Sequence, residues 1–507
     1  MVSRRRFLGS LSTAAGSAML ASCGADSNVL GSNTAASSSS VSASQAESAG
    51  NGMGIAAKDM NLPALPHPDE SGIEHIVLVM MENRSFDHYL GWVPGAEGRQ
   101  AGLNFPDRKG RPVGSFYLAD APGYGYQSCG KEDPDHSYAG GRKHFNNGQM
   151  NGFLETIGDA GVDDDHFPVG YFQEKDLPFF SGVVKNYTVC DQYHHGLLAS
   201  TYPNRIYMHA GQTDRVDNAM TTSTLTTIWD LLQAKGLTGT YYFQDLPLTA
   251  LWGQKYLNIS QPYEKFLLDA KLGTLPSVSF VDPRFLGENP QGVSNDDHPQ
   301  ADIRNGQAFL NGVYEALRTS PLWSKTLLVI NYDEWGGFYD HVVPPYAPVT
   351  AQEAKIPNDG LLGFRVPCAI IGPRARRNHV SHFRFDPNSI LNMISWRFGL
   401  PSLGARGDWS VNLAHALDFS TAPNLDAPAF NVPAGPFGGE CQSGLPNPIQ
   451  NIGADPVSSL ANTILSGSTT PGVGTAGYSS MSLTNLAHNL EWLQLKSKAQ
   501  ALGFFQP

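Results

Sequence analysis

Six short runs of almost unbroken apolar residues constrain this chain more than any other feature: His75 to Met81, Val183 to Val189, Thr240 to Phe243, Val278 to Val281, Thr326 to Tyr332 and Val366 to Ile371. Continuous rather than alternating hydrophobicity means burial on both faces, which a parallel sheet covered by helices requires. Helical patterns lie between the runs, such as Ile228, Leu231 and Leu232 ahead of Gly236, and Ile303, Phe309, Leu310, Val313, Tyr314 and Leu317. Strand and helix alternate, so the fold class is α/β, a mainly parallel sheet sandwiched by helices. With 507 residues, 41% of them hydrophobic, the chain can bury a large core.

Two stretches break the rhythm. Residues 92–180 are loop-like, Gly-rich and aromatic, and are expected to form an insertion or cap over the sheet. Residues 420–480 are dense in Pro, Gly, Ser and Thr, the composition of a long surface loop. A docking helix is expected over Leu483 to Phe504, from the spacing of Leu486, Leu490, Trp492, Leu493 and Leu495. One domain over 62–507 accommodates all of this, and no internal repeat is evident.

The N-terminus reads as an address. Arg4, Arg5 and Arg6 precede a weakly apolar run that ends near Cys23, a basic region followed by a short apolar one. The string SRRRFLG resembles a twin-arginine export signal, and LASC resembles a lipobox that would make Cys23 a lipid anchor. The alternative is a cleaved signal with a chance cysteine. Both predict export, to the periplasm, the cell envelope or the medium. Residues 24–61 are Ser-, Ala- and Gly-rich and are expected to be a flexible tether. Of the other cysteines, Cys190 and Cys368 fall in apolar runs and read as buried thiols, whereas Cys129 and Cys441 fall in Gly-rich loops where a disulfide is one option. The 34 Lys and Arg against 46 Asp and Glu, a net charge of -12, argue against nucleic acid or an anionic membrane surface as partner.

Four of the apolar runs are followed by polar residues, most of them oxygen-bearing: Glu82 and Asn83, Asp191 and His194, Asp282, Asp333 and Glu334. In open α/β sheets ligands bind outside the carboxyl ends of the strands, so these residues are expected along one edge. Acids so close raise one another's pKa unless a cation joins them. Glu82, Asn83, Asp333 and Glu334 offer hard oxygen donors, which favour Mg, Ca or Mn, while nearby histidines keep zinc open. The competing reading is that the pairs merely cap helices.

In the segment ASTYPNRIYMHAG, Thr201 precedes a helix-compatible run, so its hydroxyl falls at a helix N-terminus. It is there either as an ordinary cap or, beside a cation, as a nucleophile for phosphorus. His136, His194, His298 and His341 lie in polar loops near the strand ends, where an imidazolium can neutralise phosphate or protonate a leaving alcohol. His75 and His209 fall inside apolar elements and read as structural. Trp92, Tyr124, Tyr126 and Trp335 are either packing residues or a wall for a quaternary ammonium.

The strings HIVLVMMENRSFDHYLGW (75–92), DPDHS (133–137), TYPNRIYMHAG (201–211), NYDEWGGFYDHVVPP (331–345), and VPCAIIGP followed by SILNMISWRFGLP (within 366–401) occur in that order. Over residues 73 to about 402 they resemble the bacterial phosphoesterase family that includes non-specific phospholipase C and a related acid phosphatase. The resemblance implies an alkaline-phosphatase-like fold. It implies that Glu82, Asn83, Asp333 and Glu334 bind a metal with Thr201, that Thr201 meets phosphorus, and that His136, His298 and His341 line the phosphate pocket. One departure is Asp386-Pro387-Asn388-Ser389, where the family usually has Asp-His-Thr-Ser; His379 and His382 are near enough in sequence to substitute. Additional C-terminal β domains of longer bacterial phospholipases C have no counterpart in the sequence after residue 402.

The expected activity is phospholipase C-type hydrolysis of phosphatidylcholine-like lipids by a monomer, through a metal-assisted phosphothreonine. Acid phosphatase action on soluble monoesters, and a non-catalytic envelope lipoprotein that binds phosphorylated ligands, are the alternatives.

Overall fold

The computed structural model describes residues 54–129, 131–155, 165–286, 293–439 and 483–505, with side chains in the last segment from Leu490 onward. The export signal, Cys23, most of the tether and Cys441 lie outside the described residues. No described helix is long and apolar enough to cross a membrane.

An eight-stranded sheet runs in the spatial order His379–Ser381, Thr188–Cys190, Cys368–Ile371, Thr326–Tyr332, His75–Met81, Val278–Val281, Gly239–Phe243 and Ser260–Pro262. Neighbouring strands are parallel except around Cys368–Ile371, which is antiparallel to both neighbours. The sheet is thus mixed and mostly parallel, with helices packed on it. Every residue of Thr326–Tyr332 is buried, as are six of the seven in His75–Met81. Fully burying one such Leu, Ile or Val contributes about 1.5–3 kcal/mol, so the central strands dominate the core.

Helix Ile303–Arg318 buries the predicted stripe of Ile303, Phe309, Leu310, Val313, Tyr314 and Leu317, and begins where the Asp302 side chain accepts the Arg304 N–H. Helix Ile228–Ala234 begins in a capping box of Thr227 and Asp230.

Two expected strands differ. The first part of the Val183 to Val189 run belongs to helix Pro178–Asn186, and only Thr188–Cys190 is extended. Pro178 presets the first turn, and Gln307 Oε1 accepts the N–H groups of Phe179 and Phe180. That cap comes from another helix, so nothing local announces it. Within Val366 to Ile371 the strand starts at Cys368 and runs against its neighbours, because two-sided burial carries no record of direction.

Residues 92–180 hold the antiparallel pair Asn104–Pro106 and Pro112–Gly114, a parallel pair of Phe116–Tyr117 with Gly170–Tyr171, and helix Tyr138–Phe145. Phe105, Phe153 and Val169 join Trp335, Tyr339 and Phe364 in a second apolar cluster, which fixes this segment against the chain that follows Thr326–Tyr332. Residues 421–439 contain no helix or strand. The last helix is Leu483–Ala501, and its Trp492 stacks on Phe285 with ring centroids 4.9 Å apart. Cys190 and Cys368 are buried free thiols, and Cys129 is disulfide-bonded.

Candidate active site

Parallel register sets the site. Met81 is level with Tyr332, so Glu82 and Asn83 leave one strand at the height at which Asp333 and Glu334 leave the next. The Asp333 N–H donates to Met81 O at 3.0 Å, and the Asn83 N–H donates to Asp333 Oδ1 at 3.2 Å. All four side chains are fully buried. Asn83 is left-handed at φ 56°, a conformation asparagine tolerates better than most residues. Gly336 lies so close that a Cβ on it would stand 2.3 Å from Asn83 O, so only glycine lets the two turns meet.

Helix Thr201–Ala210 brings the hydroxyl. Thr201 is its first residue, with Ser200 at the cap position making no side-chain cap bond, so Thr201 is not an ordinary N-cap. Its Oγ1 donates to Glu82 Oε2 at 3.4 Å. The Tyr202 N–H is taken by Asn218 Oδ1 at 2.8 Å and Pro203 has none, which leaves few bare backbone donors for an anion at this terminus. One turn on, Arg205 reaches back: Nε and Nη2 donate to Glu82 Oε1 at 2.8 and 2.5 Å, and Nη1 to Asp282 Oδ1 at 2.9 Å. The same helix therefore presents the hydroxyl and clamps the carboxylate it faces.

Two histidines complete the centre. His136 Nδ1 donates to Pro134 O at 2.8 Å, which turns Nε2 towards Glu334 Oε1 at 3.9 Å. His298 Nδ1 donates to Pro299 O at 2.6 Å, leaving Nε2 3.7 Å from Asp133 Oδ2. The two rings are 5.8 Å apart, and Asp133, His136 and His298 bring ligand atoms within 4.8 Å of one another. Before His298, Asp297 is held at φ 75° by hydroxyl donation from Tyr89 and Tyr332 to its Oδ2.

Burial pushes the pKa of Glu82 up, and Asp333 pushes it further; burial raises Asp333 and Glu334 as well. Asp133 is raised to about 7 by burial. Burial opposes the charge on His136, but Glu334 and Asp133 outweigh it and lift its pKa to about 9. Arg205 lies against Glu82 and Asp333, and a further cation among these acids would favour their charged forms. Both polar atoms of the Asn83 side chain, Asp333 Oδ2 and Glu334 Oε1 are buried without a hydrogen-bond partner. The three oxygens among them are hard donors without a hydrogen bond at the strand edge, and they fit a divalent cation.

Other candidates lie elsewhere. His341 Nδ1 is 2.5 Å from Asp87 Oδ2, in a network with Asp340 and Arg365. Asp191 emerges two strands from the centre and accepts from the Glu97 N–H and His382 Nδ1. His194 is buried against Gly363 O. His379 lies in an edge strand, and Pro387 occupies the first turn of helix Pro387–Phe398. Trp335 is fully buried and stacks on His195 at 5.4 Å, and Tyr126 faces the Arg304 guanidinium, so both pack within the protein. Trp92 donates to Tyr89 O, and Tyr124 carries Lys131 over its ring. His209 packs on Phe280 and His75 bonds Pro276 O, both structural as expected.

The roles of Arg205, Asp133 and Asp297 escaped sequence reasoning. Arg205 alone carried a signal, a permanent charge four residues after Thr201 and so on the same helix face.

A mixed, mostly parallel sheet carries Glu82 with Asn83, Asp333 with Glu334, a helix-borne threonine and histidines at one edge, and similarity to known proteins identifies the chain as a hydrolase of phosphoric esters. Residues 73–401 match the Phosphoesterase family, and the chain belongs to it. It is 31% identical to non-specific phospholipase C1 of Arabidopsis thaliana over 403 residues, 72% of this chain and 74% of that one. It is 29% identical to phospholipase C A of Mycobacterium tuberculosis over 432 residues, 71% of this chain and 80% of the relative. Among solved structures, a protein in the alkaline phosphatase superfamily from Vibrio parahaemolyticus matches at TM-score 0.30 and 13% identity, covering 47% of this chain and 64% of its own.

Proposed function

We propose that the protein cleaves phosphodiesters of the phosphatidylcholine type on the diacylglycerol side, through a phosphothreonine on Thr201. The observation that carries this reading is the Thr201 hydroxyl 3.4 Å from Glu82, among buried oxygen donors that make no hydrogen bond. Relatives named phospholipase C support the diester as substrate.

Thr201 Oγ1 attacks phosphorus in line, and its proton leaves towards Glu82 Oε2, the acceptor it faces. As the bond to the leaving alcohol breaks, His298 or His136 protonates the departing oxygen. Water then attacks the phosphothreonine, giving its proton to that imidazole, and phosphocholine departs as Thr201 regains its hydrogen. A divalent cation held by Glu82, Asn83, Thr201, Asp333 and Glu334 would supply positive charge to the phosphate oxygens; the oxygen donors favour Mg, Ca or Mn, and the imidazoles keep zinc open. The reading extends to export and a lipid anchor, supported by Arg4 to Arg6 and Cys23 in the sequence.

The test is a comparison of p-nitrophenylphosphorylcholine with p-nitrophenyl phosphate on the full chain, with acid-quench trapping of phosphate on Thr201. Turnover of the monoester alone overturns the diester reading in favour of an acid phosphatase. Label on another residue, or none in a turning-over enzyme, overturns the intermediate.

A further inference from the structure

Helix Leu483–Ala501 is tied to the first turn of helix Thr201–Ala210 through one asparagine. Asn218 Oδ1 accepts the Tyr202 N–H at 2.8 Å, and its Nδ2 donates to Glu491 Oε2 at 2.6 Å. The Tyr202 hydroxyl donates to Glu491 O at 3.2 Å. On the next residue, Trp492 stacks on Phe285, whose ring lies 4.9 Å from the Arg205 guanidinium. The last helix thus walls the site beside the threonine.

The half-buried Glu491 carboxylate makes no salt bridge with lysine or arginine among the described residues, and its neighbour through Asn218 is the residue next to Thr201. A carboxylate at the rim of a phosphate site repels a plain anionic ester. It attracts one whose phosphate carries an alkylammonium a few atoms away, because the two charges of such a substrate then meet opposite charges at once.

We infer that Glu491, positioned by Asn218, recognises the cationic head group of the substrate and sets selectivity for zwitterionic over purely anionic phosphodiesters. This rests on the diester reading above and adds the head-group class to it. Because the carboxylate belongs to the last helix, that helix is part of the substrate site and not only a packing element.

The experiment measures kcat/KM of the full chain, with divalent cation, on p-nitrophenylphosphorylcholine and on bis(p-nitrophenyl) phosphate. Glu491→Gln keeps an acceptor for Asn218 and removes the charge. It is expected to lower the ratio of the zwitterionic to the anionic ester roughly tenfold, mostly through KM, with activity on bis(p-nitrophenyl) phosphate equal to or above wild type. Glu491→Asp retains the charge and is expected to preserve part of the ratio. Phosphocholine should inhibit wild type more strongly than methyl phosphate does, with the preference lost in Glu491→Gln. An unchanged ratio, or equal losses on both esters, overturns the role of Glu491 while leaving the diester reading intact. A wild-type protein that hydrolyses neither diester overturns that reading itself.

Discussion

The backbone N–H of Asn83 donates to Asp333 Oδ1 over 3.2 Å, although 250 positions separate the two residues. The bond locks the turn after one central strand to the turn after its neighbour, and it lines up Glu82, Asn83, Asp333 and Glu334 before any ligand arrives. A preformed set of donors makes cation binding and folding stability one linked equilibrium.

Saturating Mg, Ca, Mn or zinc should therefore stabilise the fold, by about 2.7 kcal/mol at a hundred times Kd. Thermal melts with and without chelator check this, and hydrolysis should disappear and return in step. In Asp333→Asn the cation-dependent shift in melting temperature should shrink or vanish. An equal shift in that variant would move the binding site away from these acids.

Thr201→Ala should lower kcat by at least on the order of 10^3-fold while melting within a few degrees of wild type, since it removes one hydroxyl from a packed helix start. Thr201→Ser keeps the oxygen and should retain far more activity. Steady-state kinetics on a chromogenic diester decide the matter; an active alanine variant would exclude the hydroxyl from the chemistry.

Arg205→Met should be costly to the fold itself. The guanidinium is 2% exposed and compensates Glu82 and Asp282 together, so its removal strands two buried carboxylates. Breaking a buried pair in this way costs about 3–5 kcal/mol, measurable as a fall in the urea midpoint. Arg205→Lys keeps the charge but cannot make the forked contact, and should fall between the two.

Acid should destabilise the protein through three buried imidazoles. Burial pushes the pKa of His194, His195 and His209 down to about 3 each. In the unfolded chain a histidine titrates near about 6.5, so between these values the unfolded state binds more protons. Stability from keeping them neutral is complete above pH 6.5 and falls as pH drops towards 3, by up to about 1.4 kcal/mol per pH unit for each histidine. Buried acids such as Asp282, raised to about 6 by burial, act in the opposite sense, so the histidine contribution is read as a difference. His195→Gln should show a shallower fall of urea midpoint between pH 7.5 and 5 than wild type; a parallel curve would mean that His195 is not buried neutral.

The strands His75–Met81 and Val278–Val281 were legible to the residue because each is almost unbroken in its apolar character and is followed by a polar residue. The meeting of Glu82 with Asp333 follows from adjacency and register of two strands, which no local pattern states. Thr201 at a helix start was readable from its run, whereas its partner Glu82 lies 119 positions away. His341 illustrates the converse. Its place after a strand suggested the centre, whereas its pairing with Asp87, 254 positions away, is written in no local pattern. Glu491 was hidden in a helix recognised only by its leucines, where a single acid reads as solvated surface.

Because the centre draws on the chain near positions 82, 133, 201, 298 and 333, no fragment short of most of the molecule contains it. Acquisition of cation affinity during refolding from urea would accordingly be a clock, its hand moving only when the final segments have docked.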